Sequence, residues 1–254
     1  MKFSANLGFL WTDRPLPNAI RAAKLAGFDA VECHWPFETS SSEVRTALEE
    51  TGLQMLGLNT RRGDIAAGEN GLAALPGRET DAKSAIDEAV AYARAINTPN
   101  VHVMAGFSNG NEAHQTFLRN LTYACEIAEP FGINILIEPL NKYDAPDYFL
   151  TTTDQATAII KSIGAQNLKL MFDCYHVQLM EGNLTHKLRA LFNDIGHIQF
   201  ASVPDRGPPD QGEIDFGYVF RVLEDLGYSS PLGAEYKPFG DTDTSLNWMS
   251  KFCW

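Results

Sequence analysis

"LKLMFDCYHVQ" (168–178) is an apolar run that stops on an acid, Asp173, with His176 three residues further on. Burying an unpaired carboxylate costs several kcal/mol, so a core strand ending on Asp173 needs a partner there. "INILIEPLN" (133–141) ends its apolar run in the same way on Glu138, and "LGAEYKP" (232–238) on Glu235.

These runs belong to a longer rhythm. Candidate strands lie at 2–7, 29–33, 53–58, 100–104, 133–138, 168–173, 196–200 and 232–235. Amphipathic helical patterns alternate with them: Ile86, Ala89, Val90, Ala93 and Ile96 recur at three- and four-residue steps, as do Phe117, Leu121, Ala124 and Ala128, and Phe216, Val219, Phe220 and Leu223. Gly27, Gly52, Gly132 and Gly227 each separate a helical pattern from the next strand, where a left-handed helix end favours glycine. Eight βα units in 254 residues match a (β/α)8 TIM barrel, whereas a doubly wound sheet usually stops at five or six strands. No linker interrupts the rhythm, so residues 1–254 are read as a single barrel domain. One connection is out of scale: "NTRRGDIAAGENGLAALPGRE" (59–79) far exceeds the usual two to six residues of a strand-to-helix loop. Such loops lie at the catalytic mouth of a barrel, which makes this one a candidate lid.

The formal net charge of −12 disfavours an extended phosphate backbone, and no basic stripe offsets it. Nucleic acid is therefore excluded as the expected partner. A small anionic substrate would need a local cation or metal to reverse the field. Cys33, Cys125, Cys174 and Cys253 show no CxxC spacing and read as free thiols of a reducing compartment. The N-terminus has no apolar stretch of export-signal length, and no segment reaches the roughly 20 apolar residues of a membrane span. A cytoplasmic protein, with no membrane partner, is the expectation.

In a barrel the strand tips converge on the mouth. Glu138 ends the fifth strand, Asp173 the sixth and Glu235 the eighth, and Gln199 is penultimate in the seventh. Three carboxylates and an amide are hard oxygen donors suited to Mg²⁺ or Mn²⁺ rather than Zn²⁺. A lone acid after a strand is more often the N-cap of the next helix, but four oxygen donors in register are better read as a metal site. His176 lies near enough to the mouth to touch a ligand or to cap a helix. Arg206 and Lys237 follow the last two strands and could bind a carboxylate, Arg206 by a bidentate grip. Asn59 and Glu32 are also at strand tips, Glu32 either as a direct ligand of a cation or as a partner of one. His102 reads as a satisfied interior histidine, and His186 as a solvent-facing one.

Taken together, "FSANL" (3–7), "GDIAAGENGLAALPGRE" (63–79), "IEPLN" (137–141), "FDCYHVQLMEGNLT" (172–185), "GHIQ" (196–199), "PDRGPPDQGEIDF" (204–216) and "EYKP" (235–238) resemble the hydroxypyruvate isomerase family of the xylose-isomerase-like barrels, which includes 2-oxo-tetronate isomerases. The similarity runs nearly end to end, and the 63–79 signature is its specific part. It implies that Glu138 and Glu235 are the proton donor and acceptor, that the same two join Asp173 and Gln199 in holding a divalent metal, and that His176 and Arg206 contact substrate. The chain has "LNT" at the end of the third strand, where many hydroxypyruvate isomerases have His-Asn. There it is closer to the oxo-tetronate branch, while "IEPLN" is closer to the hydroxypyruvate branch.

The implied chemistry moves one proton between adjacent carbons of a small keto acid through an enediolate. It needs one base, one acid and stabilisation of the oxyanion, with Arg61, Arg62 or Arg206 available to a substrate carboxylate and the long loop available to exclude water. Competing readings are a four-carbon oxo-acid isomerase, a ketose 3-epimerase, and a barrel that binds a sugar acid without turning it over. A zinc nuclease is disfavoured by six dispersed histidines on an acidic chain. Pairing of barrels into a homo-oligomer is compatible with the sequence.

Overall fold

The computed structural model describes residues 1–252; Cys253, one of the expected free thiols, lies outside them. In chain order the elements are β1 (Phe3–Asn6), α1 (Leu16–Leu25), β2 (Ala30–Glu32), α2 (Ser41–Thr51), β3 (Gln54–Met55), β4 (Leu58–Asn59), α3 (Glu79–Ala95), β5 (Asn100–His102), α4 (Gly110–Ala128) and β6 (Asn134–Ile137). They continue with α5 (Thr153–Ile163), β7 (Leu168–Asp173), α6 (Cys174–Met180), α7 (Leu184–Leu191), β8 (Ile195–Phe200), α8 (Phe216–Asp225), β9 (Leu232–Ala234) and α9 (Met249–Phe252). All sheet pairings are parallel, in the order β3-β2-β1-β9-β8-β7-β6-β5-β4.

The expected third strand, 53–58, is broken into β3 and β4, so nine strands stand where eight were expected. The physical reason is that the bonds to the β2 side run on through the break, to Asn59 N on His34 O (2.7 Å), while the ladder to β5 begins only at Leu58. Leu56 N donates to Val31 O (2.7 Å) and Gly57 O accepts from Cys33 N (3.1 Å) on the β2 side, whereas Thr60 N donates to His102 O (2.9 Å) on the β5 side. The Asn100 side chain donates to Leu56 O (2.7 Å), serving a carbonyl at the break. Residues 54–59 therefore act as one kinked stave that closes the ring, and the (β/α)8 TIM barrel reading holds.

Helix ends follow the sequence signals. Ser40 caps α2, accepting from Glu43 N (3.3 Å), and Gly52 closes it in the left-handed region at φ 67°. An aromatic cluster behind β1, β8 and β9 joins Phe3, Phe200, Phe216, Phe220 and Trp248. Phe3 meets Trp248 at 5.0 Å and Phe200 meets Phe220 at 5.1 Å between ring centroids. Each such full burial contributes about 1.5–3 kcal/mol. Together they fix the three strands whose tips bear Asn6, Gln199 and, one residue beyond β9, Glu235.

The candidate lid is only partly free. Leu72, Ala73 and Ala74 are buried; Ala74 N donates to Ala105 O (2.8 Å), and Asn120 Nδ2 donates to Ala73 O (2.8 Å). The exposed residues of the segment are Arg61, the tip at 64–68, Pro76 and Gly77. Gly71 lies at φ 114°, where a Cβ would come within 2.7 Å of the Met104 carbonyl and the Gly106 nitrogen. Gly71→Ala should therefore destabilise by about 1–3 kcal/mol, since both the backbone angle and the close approach oppose a side chain; the urea unfolding midpoint measures it. No helix among the described residues is long and apolar enough to cross a membrane.

Candidate active site

The strand register sets the mouth. Asp173 pairs with Gln199 across β7 and β8, and Gln199 with Gly233 across β8 and β9. Glu138 and Glu235 sit one residue past β6 and β9, a step further than the sequence placed them. Asp173 caps the next helix and also faces the cluster. Its Oδ1 caps α6, accepting from Tyr175 N (2.8 Å), while Oδ2 faces the cluster, 3.6 Å from His176 Nε2 and 3.4 Å from Arg206 Nη2.

Arg206 is the cation of this cluster. Its Nη2 donates to Glu235 Oε2 (2.6 Å) and reaches Asp173, and Nη1 lies 3.9 Å from Asp144 Oδ2. The guanidinium lies between the Phe9 and Tyr175 rings, 4.8 and 4.9 Å from their centroids, a cation–π arrangement that strengthens once desolvated. Its backbone is left-handed at φ 57°. That costs about 1–3 kcal/mol for a side-chain-bearing residue, and the turn is held by Arg206 N to Ser202 O (2.9 Å) and Lys237 N to Arg206 O (2.7 Å).

The carboxylates differ in their company. Glu235 Oε1 accepts from Asn6 Nδ2 (2.9 Å) and His34 Nε2 (2.9 Å). Burial works to raise its pKa, but the Arg206 charge and the His34 hydrogen bond outweigh burial and hold it well below the usual carboxylate range. Glu138 has no such partners: Oε1 is buried without a hydrogen bond, and Oε2 is 3.6 Å from His102 Nδ1. Burial, then the neighbouring Glu235 and Asp173 charges, push Glu138 well up. Asp173 is pushed up to about 8, mainly by burial, against the opposing pull of Arg206. Burial and charge thus shift the two glutamates in opposite directions.

His176 resolves its own tautomer. The Asn141 backbone N–H donates to its Nδ1 (3.0 Å), so the ring proton sits on Nε2, which faces Asp173 and, at 3.9 Å, Glu138 Oε1. Burial, helped by the Arg206 charge, depresses its pKa to about 3. His176 is therefore a neutral N–H donor aimed into the cluster, suited to a substrate oxygen. Glu138, Asp173 and His176 present one atom each within 4.8 Å of one another. A divalent cation fits this place best through oxygens: Glu138 Oε1 and Gln199 Oε1 are buried and unpartnered, and three carboxylates share a single guanidinium. Glu138, Asp173 and His176 could together hold a metal ion.

Several expectations change. Lys237 is exposed and takes no part in the hydrogen-bonded cluster; among the described interactions only its backbone N–H, bound to Arg206 O, touches the site. Asn59 ends β4 and lines a small cavity with Asn6, Glu32, His102, His197 and Gln199, beneath the acids. His102 is not a satisfied histidine: both ring nitrogens are buried without hydrogen-bond partners. Arg61 pairs with Glu88 (2.6 Å) and Glu38 (3.2 Å), and Arg62 stacks on Trp35 at 4.9 Å, so neither joins the cluster. His186 is exposed as expected. The histidines are less dispersed than the sequence implies, since His34, His102, His176 and His197 all reach the mouth or the cavity beneath it; three of them approach carboxylates of this site and His197 bonds Glu32. Asn6, His34, His197, Asn141, Asp144, Tyr175 and Phe9 were not singled out in the sequence, although the strand-tip rule applied to the first two strands would have reached Asn6 and His34. Cys33, Cys125 and Cys174 are free and buried, and burial pushes each thiol up.

Known proteins align with this geometry. The family model described as "xylose isomerase-like TIM barrel" matches residues 20–252. The chain is 42% identical to the 2-oxo-tetronate isomerase of Cupriavidus necator, over 99% of this chain and 98% of that one. It is 37% identical to the hydroxypyruvate isomerase of Escherichia coli K12, over 99% of each. Among solved structures, one titled AP endonuclease, family 2, from Brucella melitensis superposes with a TM-score of 0.95 at 36% identity, covering 99% of this chain and 98% of the other. A barrel with acids at the ends of its strands, matched by family model and by full-length relatives, places the chain in the xylose isomerase-like TIM barrel family.

Proposed function

We propose that the protein is an isomerase of small 2-keto acids that interconverts hydroxypyruvate and 2-hydroxy-3-oxopropanoate with a bound Mg²⁺ or Mn²⁺. The observation that carries this reading is the pair Glu138 and Glu235, buried at one mouth, the first beside His176 and the second on Arg206. Such a pair is what a 1,2-proton shift needs. In the forward direction the ionised carboxylate takes a proton from C3, leaving an enediolate across C2 and C3. The protonated partner delivers a proton to C2, and the hydroxyl proton on O3 is exchanged for one on O2. His176 Nε2–H and Arg206 hold the substrate's oxygens, and the Phe9 and Tyr175 rings keep water from the guanidinium. A divalent cation held by Glu138, Asp173, Gln199 and Glu235 would supply Lewis-acid stabilisation of the developing oxyanion.

The acid-lined mouth and net charge of −12 work against a phosphodiester substrate, so the nuclease title of the Brucella structure is not carried over. The relatives' names support either a three-carbon or a four-carbon acid. The test is turnover of hydroxypyruvate, 2-oxo-tetronate and a ketohexose by protein stripped of metal and then given Mn²⁺ or Mg²⁺. Expected is turnover of a keto acid, restored by metal, with solvent deuterium entering the product carbon. Turnover of the ketohexose alone would make it an epimerase. Ligand-induced stabilisation without proton exchange would make it a binding protein.

A further inference from the structure

Beneath the acids lies a buried carboxylate with no part in that chemistry. Glu32, at the end of β2, is 3% exposed, and its two oxygens accept three hydrogen bonds from three side chains. Asn6 Nδ2 (3.0 Å) and Gln199 Nε2 (2.8 Å) donate to Oε1, and His197 Nε2 (2.6 Å) to Oε2. These donors come from β1 and β8, yet β1 and β9 stand between β2 and β8 in the sheet. Glu32 reaches β8 by crossing the barrel interior over Gly233 of β9, where a Cβ would fall 2.6 Å from Glu32 Oε1 and 2.8 Å from Gln199 Cγ. The missing side chain at 233 is the space that the carboxylate occupies.

We infer that Glu32 is the positioning residue of the site: by accepting from Gln199 Nε2 it fixes which end of that amide faces the cation, and by accepting from Asn6 it aims the donor that holds Glu235. The geometry is directional. Because Nε2 is engaged below, Gln199 Oε1 is left buried and unpartnered, which is the state a cation ligand requires. The Asn6 amide is fixed in turn, donating to both Glu32 and Glu235 Oε1 (2.9 Å) while its Oδ1 accepts from Gly8 N (2.9 Å). One carboxylate therefore orients an oxygen ligand and a proton carrier together, with His197 closing its remaining oxygen. Groups that orient metal ligands from behind typically change metal affinity 10–100-fold when removed.

The role rests on the proposed metal-dependent isomerase. Its test is Mn²⁺ titration of the metal-stripped protein, read by calorimetry and by Tm, with kcat and KM alongside. Glu32→Ala should weaken Mn²⁺ binding about tenfold or more; Gly233→Ala should weaken it too, but by crowding both the Glu32 carboxylate and Gln199 Cγ, so Glu32→Ala is the variant that isolates the acid. Glu32→Gln should keep the affinity within about threefold, because an amide oxygen still accepts from Asn6 and Gln199 while its NH2 meets His197 in the other tautomer. A merely structural role would lower Tm in all three and leave the affinity unmoved. Wild-type affinity in a folded Glu32→Ala protein overturns the role of Glu32 alone. Wild-type protein that binds no Mn²⁺ overturns the metal reading and this role with it.

Discussion

Glu138→Gln is expected to lower kcat on the keto acid by about 10²–10⁴-fold, the usual contribution of a positioned acid or base, equivalent to about 2.7–5.5 kcal/mol of barrel-mouth chemistry lost from the transition state. The fold should not suffer. Glu138 Oε1 has no hydrogen-bond partner and Oε2 is 3.6 Å from the nearest imidazole nitrogen, so an isosteric amide gives up no protein hydrogen bond and, like the protonated acid, brings no charge into the buried cluster. Metal-free Glu138→Gln should therefore melt no lower than the parent. Glu235→Gln should lose comparable activity but behave differently in stability. Its carboxylate accepts from Asn6, His34 and Arg206, and weakening these charge-assisted bonds costs on the order of 1–3 kcal/mol. Steady-state kinetics with solvent-deuterium incorporation, set beside thermal melts, separates the two. Near-normal turnover in Glu138→Gln would end the two-glutamate scheme.

Much of this site was legible because barrel strands obey a rule that survives errors of a residue or two. A run that ends on Glu138, Asp173 or Glu235 puts its acid at the mouth whether the strand stops there or one residue earlier, and here it stops earlier for two of the three. The break at 54–59 was hidden because periodicity reports burial, not hydrogen-bond partners, and "LQMLGL" is equally apolar with one partner or two. Arg206 was recognised as a possible carboxylate binder. Its actual bond to Glu235 depends on a left-handed turn and two aromatic faces, Phe9 and Tyr175, from distant parts of the chain. Lys237 shows the converse: a cation two residues past Glu235 is exposed, because β9 ends at Ala234 and strand alternation, which would put 235 and 237 on one side, no longer governs the chain there. The Glu32 cradle had only a faint signal, a glycine at 233 whose meaning appears once the opposite side of the ring is known.

The second large effect is a pH-dependent loss of stability that a divalent cation reverses. Asp173 titrates at about 8 in the fold against an ordinary 3.8, and Glu138 is shifted in the same direction. Below about pH 4 folded and unfolded chains both hold the Asp173 proton, and this group does not discriminate between them. Between about pH 4 and 8 the unfolded chain releases the proton while the folded one keeps it, so stability falls across that window as pH rises. Glu235 is shifted the other way, and its contribution is lost only in acid, as pH falls through its depressed value. Metal-free protein should accordingly show a Tm that declines from pH 5 to 8, by on the order of 5 °C. Saturating Mn²⁺ binds the ionised carboxylates and competes with the protons; at 100 times Kd it contributes about 2.7 kcal/mol, so the Tm gain should grow over the same range. Asp173→Asn should flatten both curves, raising the metal-free Tm at pH 8 and removing most of the Mn²⁺ response, while its side-chain oxygen can still accept from Tyr175 N to cap α6. A metal-free Tm that climbs between pH 5 and 8 would mean that Asp173 is already ionised and compensated by Arg206 alone, and the acid cluster would have no electrostatic need of a second cation.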